Sequence, residues 1–199
     1  MKKYLLLLLS ILLLLVSIAI AWFNDLLFDA LFILVIPIYG ILLICFVVLL
    51  ILSIIRLKKR REYPCLASIA VLALLFVLIA WFPFRDVRVK VELNLLEADR
   101  LKIVEMIRND QLQPKDKIGN IVLPRGYEIL SSSGEVFQYQ NDESGQVIGF
   151  WVFRGMLSGS VELIYSTGGE ELIKANEMSI GNITKIEKMK DCWYYIETD

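Results

Sequence analysis

The chain contains no histidine, and this absence excludes several kinds of chemistry at once. Ser-His-Asp and Cys-His arrangements need an imidazole as their general base, and most catalytic zinc sites use imidazole ligands. The sequence also lacks a Walker-type phosphate loop, a Cys-x-x-Cys pair and an EF-hand loop. We therefore predict no catalytic residues, no metal site and no cofactor.

Cysteine is scarce as well. Cys45 and Cys65 lie in or beside long apolar runs, which leaves Cys192 alone in the C-terminal part of the chain. One cysteine cannot form an internal disulfide, so this part is not a disulfide-stapled scaffold. Cys192 lies in "KDCWYYIE", a predicted strand, where we expect a small buried apolar side chain rather than a nucleophile.

Apolar residues are abundant instead, at 57% of the chain, and they are concentrated before residue 85. Three runs, at about 4–23, 31–57 and 65–84, contain no charged residue except Arg56. Roughly 20 apolar residues in a helix cross the ~30 Å hydrocarbon core of a membrane. We predict three transmembrane helices in a membrane region 1–84. The middle of each helix lacks Asp, Glu, Lys, Arg and His, which argues against a pump or proton-coupled transporter.

The first run also has some features of a secretory signal peptide. Lys2 and Lys3 precede it, and Ala19-Ile20-Ala21 fits a small-x-small cleavage site. Its apolar core, however, exceeds the roughly 7–15 residues expected of such a signal. The length favours a retained membrane helix, while cleavage stays open and would not alter the sidedness of the rest of the chain.

The distribution of lysine and arginine predicts which ends of the helices face the cytoplasm. The connector between the first two runs carries Asp25 and Asp29 and no base. The second connector, 56–63, carries five bases that we interpret as the topology signal: Arg56, Lys58, Lys59, Arg60 and Arg61. We expect a multi-pass protein of the plasma membrane with its N-terminus inside and residues 85–199 outside.

Residues 85–199 include 14 basic and 19 acidic side chains, a net charge of −5. Contacts to phosphate dominate the affinity of proteins for nucleic acids, so an acidic domain is a poor candidate for that role. We predict no nucleic-acid partner. The expected partners are the lipid bilayer and another membrane or envelope protein.

The C-terminal domain shows first strand and then helix periodicity. Residues 86–94 alternate apolar and charged side chains, which predicts a half-buried strand. From Asn94, a candidate N-cap with Glu97 three residues later, the pattern predicts a helix that ends near Asn109. Short alternating runs separated by turns complete the chain. The fold class is therefore three transmembrane α-helices followed by an extracytoplasmic α+β domain with a mainly antiparallel sheet and one main helix.

The stretch "VIGFWVFRGMLSGS" is the best candidate for a small-ligand site. Residues 147–153 form a nearly unbroken apolar run, which predicts a central strand covered on both faces. The connection after it offers polar and aromatic groups, and a plain strand connection is the alternative. The candidate ligand-binding residues are Trp151, Arg154, Ser158 and Ser160.

Two pairs of adjacent acids remain as candidate catalysts, because glycoside hydrolysis needs only two carboxylates. They are Asp142 with Glu143, and Glu170 with Glu171. Solvated turn and helix-start roles are the simpler interpretation of both. Thr167 and Glu170 stand in the Thr-x-x-Glu spacing of a capping box, which predicts a helix start there.

These observations favour a membrane-anchored extracytoplasmic binding or regulatory domain that acts through a protein partner without catalysis. The cytoplasmic side offers a short N-terminal segment and one short connector, so any sensing must pass through a partner. Two alternatives stay open: a cell-envelope enzyme that uses paired carboxylates, and a structural or assembly factor of a bacterial envelope.

Overall fold

A computed structural model describes residues 4–60, 62–116, 118–154 and 159–199. The chain divides into two compact units, the first ending at Arg88 and the second beginning at Val89. The first unit contains the three apolar helices, and the second contains the sheet. We refer to them as the helical unit and the sheet-rich unit.

The helical unit has α1 (Leu5–Trp22), α2 (Asn24–Arg60) and α3 (Tyr63–Trp81). Three segments within them are long and apolar enough to cross a membrane: Leu5–Trp22, Leu34–Lys59 and Tyr63–Trp81. Proline lies in the first turn of α3, where a backbone N–H would have no hydrogen-bond partner within the helix. The prediction of three membrane-spanning helices is thus supported by their length and composition.

Helix α2 begins earlier than the sequence predicts, and it is bent. The acidic segment after Asn24 is the helical start of α2 rather than a connector. The Tyr39 hydroxyl donates to the Asn24 side-chain oxygen at 2.7 Å, although these residues are 15 positions apart. A straight helix rises about 22 Å over that interval, more than the two side chains can bridge. The helix therefore bends between them, in an interval that contains Pro37.

A serine cluster joins the three helices. Ser68 of α3 lies 2.6 Å from the Ser10 hydroxyl of α1 and 2.9 Å from the Ser53 hydroxyl of α2. The Ser10 hydroxyl also lies 2.9 Å from the carbonyl of Leu6, one turn earlier. Apolar side chains pack around the helix contacts, among them Leu13, Leu49, Leu72 and Leu75. Small polar residues at helix contacts are typical of membrane bundles.

Residues 86–94 form part of a helix, so the predicted strand is wrong. Helix α4 runs without interruption from Phe84 to Arg108. In a strand, the apolar residues of this segment, which stand two apart, would all have shared one face. In the helix, Val89 and Leu93 are buried while Val91 is exposed, because residues four apart share a helical face. The same face continues through Ile103, Val104 and Ile107. The predicted end of the helix near Asn109 is confirmed.

The sheet-rich unit contains one six-stranded antiparallel sheet in the order β1-β2-β3-β4-β6-β5. The strands are β1 (Asn120–Val122), β2 (Glu135–Asp142), β3 (Gly145–Arg154), β4 (Ser160–Ser166), β5 (Ile183–Lys190) and β6 (Trp193–Thr198). Strand β3 is paired on both sides and is almost entirely buried, as predicted for 147–153. The α+β class with a mainly antiparallel sheet is confirmed.

Helices cover different faces of this sheet. Helix α4 contacts one face: Gln146 donates to the carbonyl of Val104 at 3.5 Å, and the buried Arg100 guanidinium lies 5.9 Å from the Phe150 ring centre. Two short helices, α5 (Gly169–Ala175) and α6 (Glu177–Ile180), pack on the other face. Their buried side chains Ile173 and Ile180 meet residues of β3, β4 and β6: Val147, Ile164, Tyr194 and Ile196.

Two local predictions are corrected. The capping box at α5 is not formed, because the N-cap of the helix is Gly168. The Thr167 hydroxyl instead accepts from the backbone N–H of Gln146 at 2.9 Å, and Glu170 pairs with Lys174. Cys192 lies in the β5–β6 turn with φ of 62° and is half-buried, not in a strand. Cys192 is therefore a turn residue and not part of the apolar core.

Candidate functional site

The buried carboxyl of Glu162 is the centre of the candidate site. Glu162 is the third residue of β4 and is 1% exposed. The Tyr139 hydroxyl of β2 donates to its Oε2 at 2.7 Å. Its Oε1 has no hydrogen-bond partner among the described residues. Burying a carboxyl group with incomplete hydrogen bonding is costly, and such groups concentrate at functional positions.

Gly149 makes the contact between Glu162 and Tyr139 possible. Strand β3 lies between β2 and β4, so the two side chains meet above its backbone. A Cβ on Gly149 would lie 2.3 Å from Glu162 Oε2 and 2.8 Å from Tyr139 Cε2. Both distances are shorter than atoms tolerate without moving. The glycine is therefore needed for space, since its backbone conformation is one that other residues adopt.

Burial makes Glu162 a poor acid. It raises the pKa of Glu162 from 4.5 to about 7, even though the Tyr139 hydrogen bond and the nearby Arg154 charge both act in the opposite direction. The pKa of Tyr139 is raised strongly, first by burial and then by the adjacent Glu162. The carboxyl therefore changes charge near neutral pH, while the phenol keeps its proton and remains a donor.

Trp151 and Arg154 lie on the same side of the sheet as Glu162. Trp151 is the direct cross-strand partner of Glu162, and such partners project from the same face. The Arg154 guanidinium lies 5.2 Å from the centre of the Trp151 ring, a cation–π distance. Trp151 is half-buried and Arg154 is exposed. Together the two side chains form the Trp151–Arg154 surface beside the buried carboxyl.

The other two predicted ligand-binding residues contribute less. Ser160 pairs with Arg154 across β3 and β4, and its hydroxyl lies 2.6 Å from the Thr198 hydroxyl of β6. This contact ties the ends of β4 and β6 together. Ser158 lies outside the described residues. The structure thus brings Trp151, Arg154 and Ser160 to one end of β3 and β4.

The predicted acid pairs have ordinary surface environments. Asp142 is exposed and accepts from the Ser144 backbone N–H at 2.8 Å, and the Ser144 side-chain hydrogen bond, followed by that from Gln140, lowers its pKa. Glu143 is exposed in the same turn. Glu170 forms an exposed ion pair with Lys174 at 2.7 Å. These contacts fit solvated turn and helix-start roles.

A second open feature lies between α5, α6 and β5. It is a surface groove of about 320 Å³ lined by Ile183, Ile186 and several charged side chains, including Glu170, Lys174 and Glu177. Its charges are exposed and already include the Glu170–Lys174 pair. We therefore place the candidate site at Glu162 rather than in this groove.

The basic residues predicted as a topology signal are near the end of α2. Arg56, Lys58 and Lys59 lie in its last two turns, and Arg60 is its last residue. Arg61 lies outside the described residues. Basic side chains near a helix C-terminus also interact favourably with the helix dipole. Their role in orientation stays a prediction.

Sequence reasoning missed Glu162, Tyr139 and Gly149. One signal was present: Glu162 is the only charged residue in "SVELIYS", and a charge inside an apolar strand is a known mark of a special position. Among the described residues, no group of three Asp, Glu or Cys side chains could hold a metal ion. No protein-family model matches the chain, and no curated protein or solved structure is significantly similar to it.

Proposed function

We propose that this chain is a membrane-anchored binding or regulatory protein whose sheet-rich unit lies outside the cytoplasm and acts through a protein partner. The observation that carries the proposal is the Trp151–Arg154 surface, a half-buried indole under an exposed guanidinium. Tryptophan and arginine are enriched among the residues that dominate the energy of protein interfaces. A non-catalytic contact surface accounts for both residues.

The three apolar helices supply the anchor. They are long and apolar enough to cross a membrane, and a small serine cluster joins them where they pack. The positive charges near the end of α2 favour placing that end in the cytoplasm, which would put residues after α3 on the opposite side. A partner in the membrane or envelope would then carry any signal further.

Site-specific crosslinking in native membranes tests the contact surface. A photoreactive amino acid at position 151 should give an adduct heavier than the monomer. The matched control is position 122, because Val122 is 49% exposed on the edge strand β1 of the same unit. Adducts of equal yield from both positions, or none from position 151, would contradict the proposal.

Sidedness needs a separate measurement. In a chain whose native cysteines are replaced, Glu143→Cys places a thiol in the exposed β2–β3 turn, and Lys59→Cys places one near the end of α2. A membrane-impermeant maleimide should label the first in intact cells and the second only after permeabilisation. The reverse pattern would place the sheet-rich unit in the cytoplasm.

The alternative of a carboxylate-dependent enzyme has one observation in its favour. Glu162 has a pKa of about 7, a value suited to a general acid. Glycoside hydrolysis, however, needs a second carboxyl group, typically about 5–10 Å away. The influences on the pKa of Glu162 are burial, the hydrogen bond from Tyr139 and the charge of Arg154, and none of them comes from a second carboxylate. The geometry therefore favours binding.

A further inference from the structure

Glu162 is enclosed by three neighbouring strands that offer it very little polar compensation. From β2 comes the Tyr139 hydroxyl, and from β3 come its cross-strand partner Trp151 and the nearby Arg154. Strand β6 places Ile196 opposite it on the other side. Within the described residues, the titratable and charged groups facing Glu162 are therefore Tyr139 and Arg154.

The surroundings suit a neutral carboxyl better than a carboxylate. The Tyr139 hydroxyl supplies one hydrogen bond to Oε2, while Oε1 has no described partner. A carboxylate normally accepts several hydrogen bonds, and leaving a buried charge short of them is expensive. Arg154 is the cation that can offset this charge, but its guanidinium is exposed and stacked on Trp151.

We propose that Glu162 is a proton-binding site that makes the Trp151–Arg154 surface responsive to the pH around the sheet-rich unit. When Glu162 is protonated, the carboxyl holds no charge and Arg154 remains over the indole. When the proton leaves to solvent, the new carboxylate attracts Arg154 away from the Trp151 ring. The contact surface therefore differs between the two states. This inference does not depend on the sidedness of the unit or on the identity of any partner.

The coupling arises from the position of Trp151. It lies directly across from Glu162 and under Arg154, so a change in either charge alters its surroundings. The charge change falls near neutral pH because burial raises the pKa of Glu162 to about 7. An ordinary exposed glutamate would have completed its titration well below that range.

Fluorine NMR of the full chain, labelled with 5-fluorotryptophan in neutral detergent micelles, tests the proposal. The Trp151 resonance is assigned by its loss in Trp151→Phe. We expect it to shift with a midpoint near pH 7 in the parent protein. Glu162→Gln should abolish this titration. The matched control Glu105→Gln removes an exposed carboxyl from α4 and should leave the titration unchanged.

Two further variants keep Glu162 and test the same idea if Glu162→Gln fails to fold. Tyr139→Phe removes the hydroxyl, and Arg154→Ala removes the positive charge, both of which hold the pKa of Glu162 down. Each should move the Trp151 midpoint to higher pH. A midpoint that is unchanged in both variants, a titration that survives Glu162→Gln, or no titration of Trp151 in the parent would each overturn the proposal. None of these outcomes bears on the crosslinking test.

Discussion

The substitution Gly149→Ala should destabilise the sheet-rich unit through one specific hydrogen bond. The added Cβ would lie 2.3 Å from Glu162 Oε2 and 2.8 Å from Tyr139 Cε2. Both atoms belong to the ends of side chains, so they can rotate away without moving the strands. The expected damage is therefore loss of the 2.7 Å hydrogen bond between Tyr139 and Glu162.

The size of the effect is set by two opposing contributions. A hydrogen bond between neutral groups contributes about 0.5–1.5 kcal/mol, and leaving a buried partner unsatisfied costs about 1–3 kcal/mol. Replacing glycine by alanine where the backbone allows it gains about 0.4–1 kcal/mol by restricting the unfolded chain. We expect a net loss of roughly 1–2 kcal/mol in the free energy of opening of β3, about a tenfold change in the opening equilibrium.

Hydrogen exchange of peptides from β3 and β4, measured on the full chain in micelles, gives this free energy locally. Tyr139→Phe provides the matched background, because it removes the hydroxyl but keeps the ring. In that background Gly149→Ala should lower the free energy of opening by at least about 1 kcal/mol less than it does in the parent protein. The effects of substitutions at contacting residues are not additive. Equal costs in both backgrounds would show that the hydrogen bond is not what the glycine protects.

Three other predictions concern separate parts of the molecule. The pKa of Glu162 is raised from 4.5 to about 7, so the folded state binds the extra proton. The contribution of Glu162 to the free energy of unfolding should be greatest below about pH 4.5 and fall by about 3 kcal/mol as the pH rises through 7. Glu162→Gln should remove this part of the pH dependence of unfolding. Ser68→Ala removes contacts to two other helices and should lower the free energy of unfolding in detergent by about 1–2 kcal/mol. The control is Ser17→Ala, which lies outside the serine cluster and should lower it less. Lys190→Ala breaks an ion pair with Glu97 in which the Lys190 side chain is 49% exposed. It should change the free energy of unfolding by less than about 1 kcal/mol, and a larger loss would mean that this contact is more than a surface pair.

The three long apolar helices were the most predictable part of the fold. Their apolar runs are long, and the requirement to cover a hydrocarbon core leaves little choice of secondary structure. The segment after Phe84 was not predictable in the same way. Val89 and Leu93 fit a strand by alternation and a helix by their spacing of four, and only the continuation through Ile103 and Ile107 on the same face decides between them.

The candidate site was predictable only in part. Trp151 lies within a nearly unbroken apolar run and Arg154 directly follows it, which makes both recognisable, and the structure places them beside each other. Tyr139 and Glu162 come from strands separated by β3, and their meeting depends on the register of three strands. Local patterns contain no information about that register. The role of Gly149 becomes apparent only once both neighbours are known.

The serine cluster has a consequence for how the helices assemble during synthesis. Ser68 bonds to both Ser10 and Ser53, so the hydroxyl that links α1 to α2 belongs to the last of the three helices to leave the ribosome. Until α3 has been synthesised, the Ser10 hydroxyl has the carbonyl of Leu6 within its own helix, whereas Ser53 lacks its interhelical partner. The order of synthesis thus leaves the serine contacts of α3 to α1 and α2 to form after both of those helices have been made.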